Sequence, residues 1–375
     1  MVDSEDGSSP AQDTAPAPFV TMMPFRFEGS GGEYFGIWFT NIFFTILTLG
    51  IYSAWAKVRN LRYFYRHTSV AGASFDYHAD PLAILKGRVL AVLLFILYSV
   101  LSELHVAIGL GSFVVLMIAL PWIIVRALKF RFVNTSYRNV RMGFDGDYGG
   151  ALKEFILFPI LVLPTLGLLW PYTRFRQSRY IVNNLRYGTT RFKFEGSWLP
   201  WFKAGLPLML TLVFGLAIPG IYAAIQFSAA LSTGEPTEEF PEGEPVFDPD
   251  ALGSGFGLAT GILPIAMLLF YVALPYWIVT TRNILFGASS IGPHGFESTM
   301  ATIKYAVLIV ACFFIVAFTF GFGTPFAKVI LANYKAETLE LSAYGDLGAF
   351  VAQEAEDVRA FGEEIGEAFD IDVGL

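Results

Sequence analysis

The sequence predicts a mainly α, polytopic membrane protein. It is built from internal repeats of transmembrane helix pairs and glycine- or proline-broken segments that dip rather than span, with short cytoplasmic β-hairpins. Three observations predict this. Of 375 residues, 54% are apolar and 15% charged, where a soluble domain carries about 25% charged residues; mean hydropathy is +0.54. The apolar residues sit in uninterrupted blocks of membrane length. And the stretch TLGIYSAWAKVRN, from Thr48, recurs as TLGLLWPYTRFRQ, from Thr165.

The N-terminal residues 1–20 are acidic and rich in Pro, Ala and Ser, without the basic region and apolar core of a cleavable signal, and read as a disordered tail. About 20 apolar residues cross a bilayer as a helix. Seven blocks qualify as candidates: 34–56, 82–105, 107–127, 151–171, 201–227, 255–281 and 302–325.

The repeat organises these blocks. At a constant offset Thr48, Gly50, Lys57, Arg59, Arg62 and Tyr63 meet Thr165, Gly167, Arg174, Arg176, Arg179 and Tyr180. A weaker third copy brings in Thr319, Gly321, Lys328 and Tyr334. The chain then divides into unit 1 (21–140), unit 2 (141–290, with an external acidic loop at 231–250), a truncated unit 3 (291–345) and an acidic amphipathic C-terminal helix (346–375). Between helices the period changes to two: TSVAGASFDYH, YGTTRFKFEG and VNTSYRNVRMGFDGD alternate around turn signals and read as hairpins.

Charge fixes an orientation. Basic residues crowd 57–88, 126–153 and 174–203, and the positive-inside rule makes those stretches cytoplasmic. Segments 82–105 and 107–127 then run out and back. If 151–171 spanned, the most basic stretch would lie outside; a segment that dips and returns keeps it inside. Pro159, Pro164, Gly167 and Pro171 break that segment, and a proline-kinked spanning helix is the alternative. Spanning would make successive units inverted, as in many transporters; dipping would make them parallel.

The run FEGSGGEYFGIWFTNIFFTILTLGIYSAWAKVRNLRYFYRHT resembles the YjgN family of bacterial inner-membrane proteins, a domain of unknown function. The LGIYSAWAKVR core and Phe75 to Tyr77 carry the likeness, which covers about residues 24 to 345. The resemblance implies a multi-pass protein of the bacterial plasma membrane, with no activity or catalytic residues to carry over. As partner it offers only a hint, a membrane zinc peptidase encoded near its members.

The chemistry-bearing residues point away from catalysis. His67, His78, His105 and His294 lack metal-ligand spacing, no nucleophile or nucleotide motif occurs, and Cys312 sits in an apolar run. No cofactor, metal or nucleic-acid partner is expected. The apolar blocks are nearly free of ionisable groups, Asn41, Gln226, Glu103 and His105 being the exceptions noted. Lys57, Arg59, Arg62, Arg174, Arg176 and Arg179 are the candidates for contact with anionic lipid or a protein partner. Gly50, Pro164, Gly167, Gly321 and Asn41 are the candidates for a helix break or pore. On the C-terminal helix Leu347, Phe350 and Val351 form an apolar face, with Glu354 and Asp357 expected elsewhere on its surface; it docks on the chain's own basic hairpins or recruits a partner. The functional expectation is a non-enzymatic membrane scaffold or adaptor, with a channel or transporter as the alternative.

Overall fold

The computed structural model describes residues 20–213, 215, 220–221, 224–225, 228 and 249–368. The tail 1–19 and most of the acidic loop 231–250 lie outside the described residues. The chain is mostly helical, and one sheet ties its helices together.

That sheet corrects the expectation of separate hairpins. Eleven strands form one antiparallel array in the order β1-β11-β10-β9-β8-β7-β6-β5-β4-β3-β2. Its two edge strands, β1 (Val20–Pro24) and β2 (Arg26–Phe27), are consecutive pieces of one segment. The first half of that segment pairs with β11 (Leu339–Tyr344), and the second with β3 (Thr68–Val70). One extended stretch therefore staples the two ends together and curls the sheet into a near-closed barrel, which hides the unpaired edges a flat sheet would expose. Four tight hairpins supply the remaining strands: β3 with β4 (Ala73–Tyr77), β5 (Thr135–Tyr137) with β6 (Val140–Phe144), β7 (Leu185–Tyr187) with β8 (Thr190–Phe194), and β9 (Ser289–Ile291) with β10 (His294–Ser298). Their turns use residues that accept positive φ, as at Arg138–Asn139 (45° and 64°).

Helices leave each second strand and return to the next first strand. The order strand–helix–helix–strand thus occurs five times, through α1 (Gly31–Leu47) and α2 (Ser53–Arg66), then α3 (Pro81–Leu104) and α4 (Val106–Val133). The third passage has α5 (Tyr148–Leu152), a π-helical turn (Lys153–Leu157), α6 (Phe158–Ile160) and α7 (Trp170–Asn183). The fourth has α8 (Trp198–Leu212) and α9 (Pro249–Gly287), and the fifth α10 (Thr302–Phe318) and α11 (Thr324–Glu337). Starts are set by side-chain caps: Ser30 accepts from the Glu33 amide at 3.2 Å, Asp80 from Leu82 at 2.9 Å and Asp147 from Gly150 at 2.9 Å. Each helix packs on its chain neighbours, and α11 packs on α1, so the helices form a closed ring above the barrel. Among the described residues, three stretches are long and apolar enough to cross a membrane, Pro81–Leu104, Val106–Val133 and Pro264–Gly287.

The three Thr-Leu/Phe-Gly sequences form the same turn. Leu49 and Gly50 have φ of 49° and 93°, Leu166 and Gly167 51° and 90°, Phe320 and Gly321 50° and 93°. Each glycine N–H reaches back to a carbonyl five residues earlier, at 2.7 Å for Gly50, 2.9 Å for Gly167 and 2.8 Å for Gly321. The segment 34–56 therefore turns back at Gly50, and both its ends join the same sheet. The same holds for 302–325 through Gly321. At matched positions Tyr63, Tyr180 and Tyr334 donate to the carbonyls of Ser30, Asp147 and Ala301, at 2.9, 2.8 and 3.1 Å, pinning the returning helix to the start of the outgoing one.

A prediction follows from the space around these glycines. A Cβ on Gly50 or on Gly36 in mid-α1 would meet nothing within 4 Å, yet only Gly50 has positive φ. Gly50→Ala is expected to cost about 1–2 kcal/mol, and Gly36→Ala to stabilise by up to about 1 kcal/mol. Thermal unfolding in detergent compares them, and equal effects would show that the turn is not φ-limited.

Candidate functional site

The barrel interior is lined by aromatic side chains. The repeated Phe-x-aromatic strands place side chains i and i+2 on the same, inward face, so Phe25, Phe75 and Phe192 meet in the lumen with Phe296. Phe25 stacks on Phe75 at 6.3 Å and Phe192 on Phe296 at 6.1 Å. The second aromatics, such as Phe144 and Phe194, lie nearer the helices and pack on Tyr180 and Phe175. Two tyrosines bond around the wall: Tyr137 donates to the Val70 carbonyl at 2.8 Å and Tyr187 to the Tyr137 carbonyl at 3.0 Å. Burial, then the neighbouring Tyr137, pushes the Tyr187 hydroxyl up, so it stays a donor. A chamber of about 280 Å³ remains, with almost wholly apolar walls.

The hairpin end of this chamber is closed by α12 (Leu347–Ala368). Leu347, Phe350 and Val351 line the chamber. Glu354, expected on the outer surface, is 3% exposed. Its carboxylate accepts from the Thr189 amide at 2.7 Å, the Thr189 hydroxyl at 3.0 Å, the Thr190 amide at 3.2 Å and the Thr190 hydroxyl. Among the described residues, the helix thus docks on the hairpin end through apolar side chains and one carboxylate held by the β7–β8 turn. Four donors compensate the burial of that charge.

The six basic candidates are not six equivalent groups. Lys57, Arg59, Arg174 and Arg179 are exposed. Arg62 turns to the Tyr77 carbonyl at 3.2 Å. Arg176 is committed: it chelates Glu154 at 2.6, 3.1 and 3.2 Å, with its guanidinium 4.5 Å above the Phe158 ring. Glu154 sits in the π-helical turn at 7% exposure, an ionisable group inside the block 151–171 that the sequence reading passed over. Arg176 is accordingly withdrawn as a free lipid contact. Arg59, Arg88, Arg126 and Arg176 each lie seven residues from the helix end that joins the sheet, at Arg66, Pro81, Val133 and Asn183. At 1.5 Å per residue they share a level about 10 Å above the barrel.

The break candidates lie at the hairpin tips. Gly50, Gly167 and Gly321 are flanked by Leu49, Leu166 and Phe320, which are 95%, 89% and 93% exposed; Pro164 is exposed in the second tip. Asn41 is buried, and its side-chain amide donates to Asn60 at 2.9 Å, tying α1 to α2. It is a helix-to-helix contact rather than an open pore wall. Of the histidines, His105 caps α4 through the Ala107 amide at 3.1 Å, His78 meets Ser136 at 2.8 Å and His67 the Tyr63 carbonyl at 2.8 Å. His294 is 1% exposed and lines the chamber.

Comparison with known proteins matches the chain to one family. The model of a family described as bacterial protein of unknown function, DUF898, matches residues 22–368. The chain belongs to the DUF898 family. Inner membrane protein YjgN of Salmonella typhimurium (strain LT2) is 30% identical over 144 residues, 38% of this chain and 36% of the relative. The protein of the same name in Escherichia coli O157:H7 is 30% identical over 157 residues, 40% of this chain and 38% of the relative. That of Escherichia coli strain K12 is 30% identical over 158 residues, with the same shares. The chain thus spans little more than a third of the length of these curated relatives. No solved structure matches. The family and these relatives support a bacterial inner-membrane location for the DUF898 chain.

Sequence reasoning missed three of the polar groups that matter. For Glu354 a signal existed, since on a helical wheel it falls amid Leu347, Phe350 and Val351. Glu154 was visible beside Lys153 but was passed over. His294 had no local signal.

Proposed function

We propose that this DUF898 protein is a non-enzymatic inner-membrane scaffold that gathers anionic lipid head groups around its helix ring, with the barrel and α12 on the cytoplasmic side. The common level of Arg59, Arg88 and Arg126 carries this reading, because a belt of cations at one height is what a head-group layer selects. Above that level α3 continues from Arg88 to Leu104, about 24 Å, close to the hydrocarbon thickness of about 30 Å. By contrast α1 ends about 15 Å above it, mid-bilayer, where the bare Leu49, Leu166 and Phe320 tips are at home. Basic residues near an anionic surface contribute roughly 1 kcal/mol each. The exposed set Lys57, Arg59, Arg174 and Arg179 supplies the adaptable part of the belt.

Two measurements test it. In a Cys312→Ala background, Ser74→Cys is expected to label only from the cytoplasm, His105→Cys only from outside, and Leu49→Cys from neither side. External labelling of Leu49→Cys would mean that the short pairs cross. In reconstituted vesicles, spin-labelled phosphatidylglycerol should associate with the protein more than spin-labelled phosphatidylcholine. That preference should disappear when Lys57, Arg59, Arg174 and Arg179 are all changed to Gln; an unchanged preference sinks the lipid reading. The closed ring favours a second reading, a channel along its axis. Ion flux in liposomes by a chain lacking 346–375, and not by the full chain, would support it.

A further inference from the structure

The chamber inside the barrel has a chemistry of its own, independent of the lipid-belt reading. Native interiors hold few voids larger than a water molecule, whose share of liquid volume is about 30 Å³. The chamber measures about 280 Å³. Its walls are apolar and aromatic, and water would find almost nothing to bond.

The polar groups around it are nearly all spoken for. The Tyr137 and Tyr187 hydroxyls donate to wall carbonyls. Glu354 is saturated by Thr189 and Thr190. His294 is the exception. Its Nδ1 accepts the Tyr344 amide at 3.2 Å, which places the ring proton on Nε2, and Nε2 has no nitrogen or oxygen partner among the described residues. The ring stands edge-on to Phe350 of α12, centroids 4.8 Å apart. A buried N–H donor without an acceptor is costly, and native structures rarely leave one so.

We infer that the chamber is a binding site for a neutral, lipid-soluble molecule that presents one carbonyl oxygen to His294 Nε2–H and lays a ring against the aromatic wall. The walls dictate the class. An anion would lose its hydration and meet no free cation. A pure hydrocarbon would leave the imidazole donor unmet. A carbonyl compound answers both conditions, and the wall of Phe75, Phe192, Phe296 and Phe350 favours stacking. On the helix side Val182, Leu285 and Phe286 line the chamber, and α12 closes the other end.

Photolabelling the full-length protein in detergent with benzophenone, followed by peptide mapping, tests this. Adducts are expected on chamber residues such as Met142, Leu341 or Val351. Fluorenone should compete for them, and fluorene, which differs only by lacking the carbonyl oxygen, should compete at least tenfold less well. In His294→Leu that difference should vanish. Adducts confined to the outer faces of the helices would overturn the proposal, as would equal competition by fluorene and fluorenone in the wild type. The wild-type competition decides the matter alone if His294→Leu does not fold.

Discussion

Arg176→Ala is expected to destabilise the folded protein by about 3 kcal/mol, because it strands a carboxylate in the third helix pair. Glu154 is 7% exposed, and Arg176 meets both its oxygens. The Gln177 side chain is also nearby but bonds the Glu154 backbone carbonyl, at 3.2 Å, and leaves the charge unanswered. The same argument makes the double variant Glu154→Leu with Arg176→Leu milder than the single one, since removing both partners leaves no buried charge. Loss of signal on thermal or SDS unfolding in detergent would rank the three proteins. A double variant as unstable as Arg176→Ala would mean that the pair acts through packing of the π-helical turn rather than through charge.

Glu354→Ala is expected to free the C-terminal helix from the barrel. One carboxylate satisfies two amides and two hydroxyls of a single turn, and hydrogen bonds to a charged acceptor contribute about 1.5–3 kcal/mol each, though not additively. Apolar side chains such as Leu347, Phe350 and Val351 would then be left to hold the helix at the mouth. Tryptic cleavage after Arg359 should accelerate at least tenfold, and the Thr189 and Thr190 amides should lose their protection from hydrogen exchange. Glu354→Gln keeps one good acceptor and should fall between. Unchanged cleavage together with retained amide protection would show that the apolar contacts suffice and that the carboxylate is not the latch.

Much of the local structure was legible. The Thr-Leu-Gly breaks were visible because a glycine after an apolar helix supplies the positive φ that stops it, and the Gly50, Gly167 and Gly321 turns share one backbone conformation. The hairpins were visible from their period-two alternation around Ala71–Gly72 and Arg138–Asn139. That α3 and α4 are long and apolar enough to cross a membrane was visible from composition. What was not legible was which strand pairs with which. Met23 and Leu341 are partners across the length of the chain, and no residue near either announces the other.

The same division runs through the candidate site. Lys57 and Arg174 could be picked out as basic from spacing, yet nothing local distinguishes Arg59, which is exposed, from Arg176, which is half-buried and paired with a buried carboxylate. That difference comes from position 154, which carries a glutamate where the position at the same offset before Arg59 carries Ile37.

By itself the sequence determined the family, the apolar spans, the helix stops and the amphipathic C-terminal face. Each of these rests on residues within a few turns of one another, where backbone preference and side-chain period act directly. Only the tertiary structure decided that the hairpins close into one barrel, that α12 seals it, and that Glu154, Glu354 and His294 are buried. Closure and burial depend on surfaces brought together from distant parts of the chain. The free energy of a charge or a donor is set by what surrounds it in space, not by its neighbours in sequence.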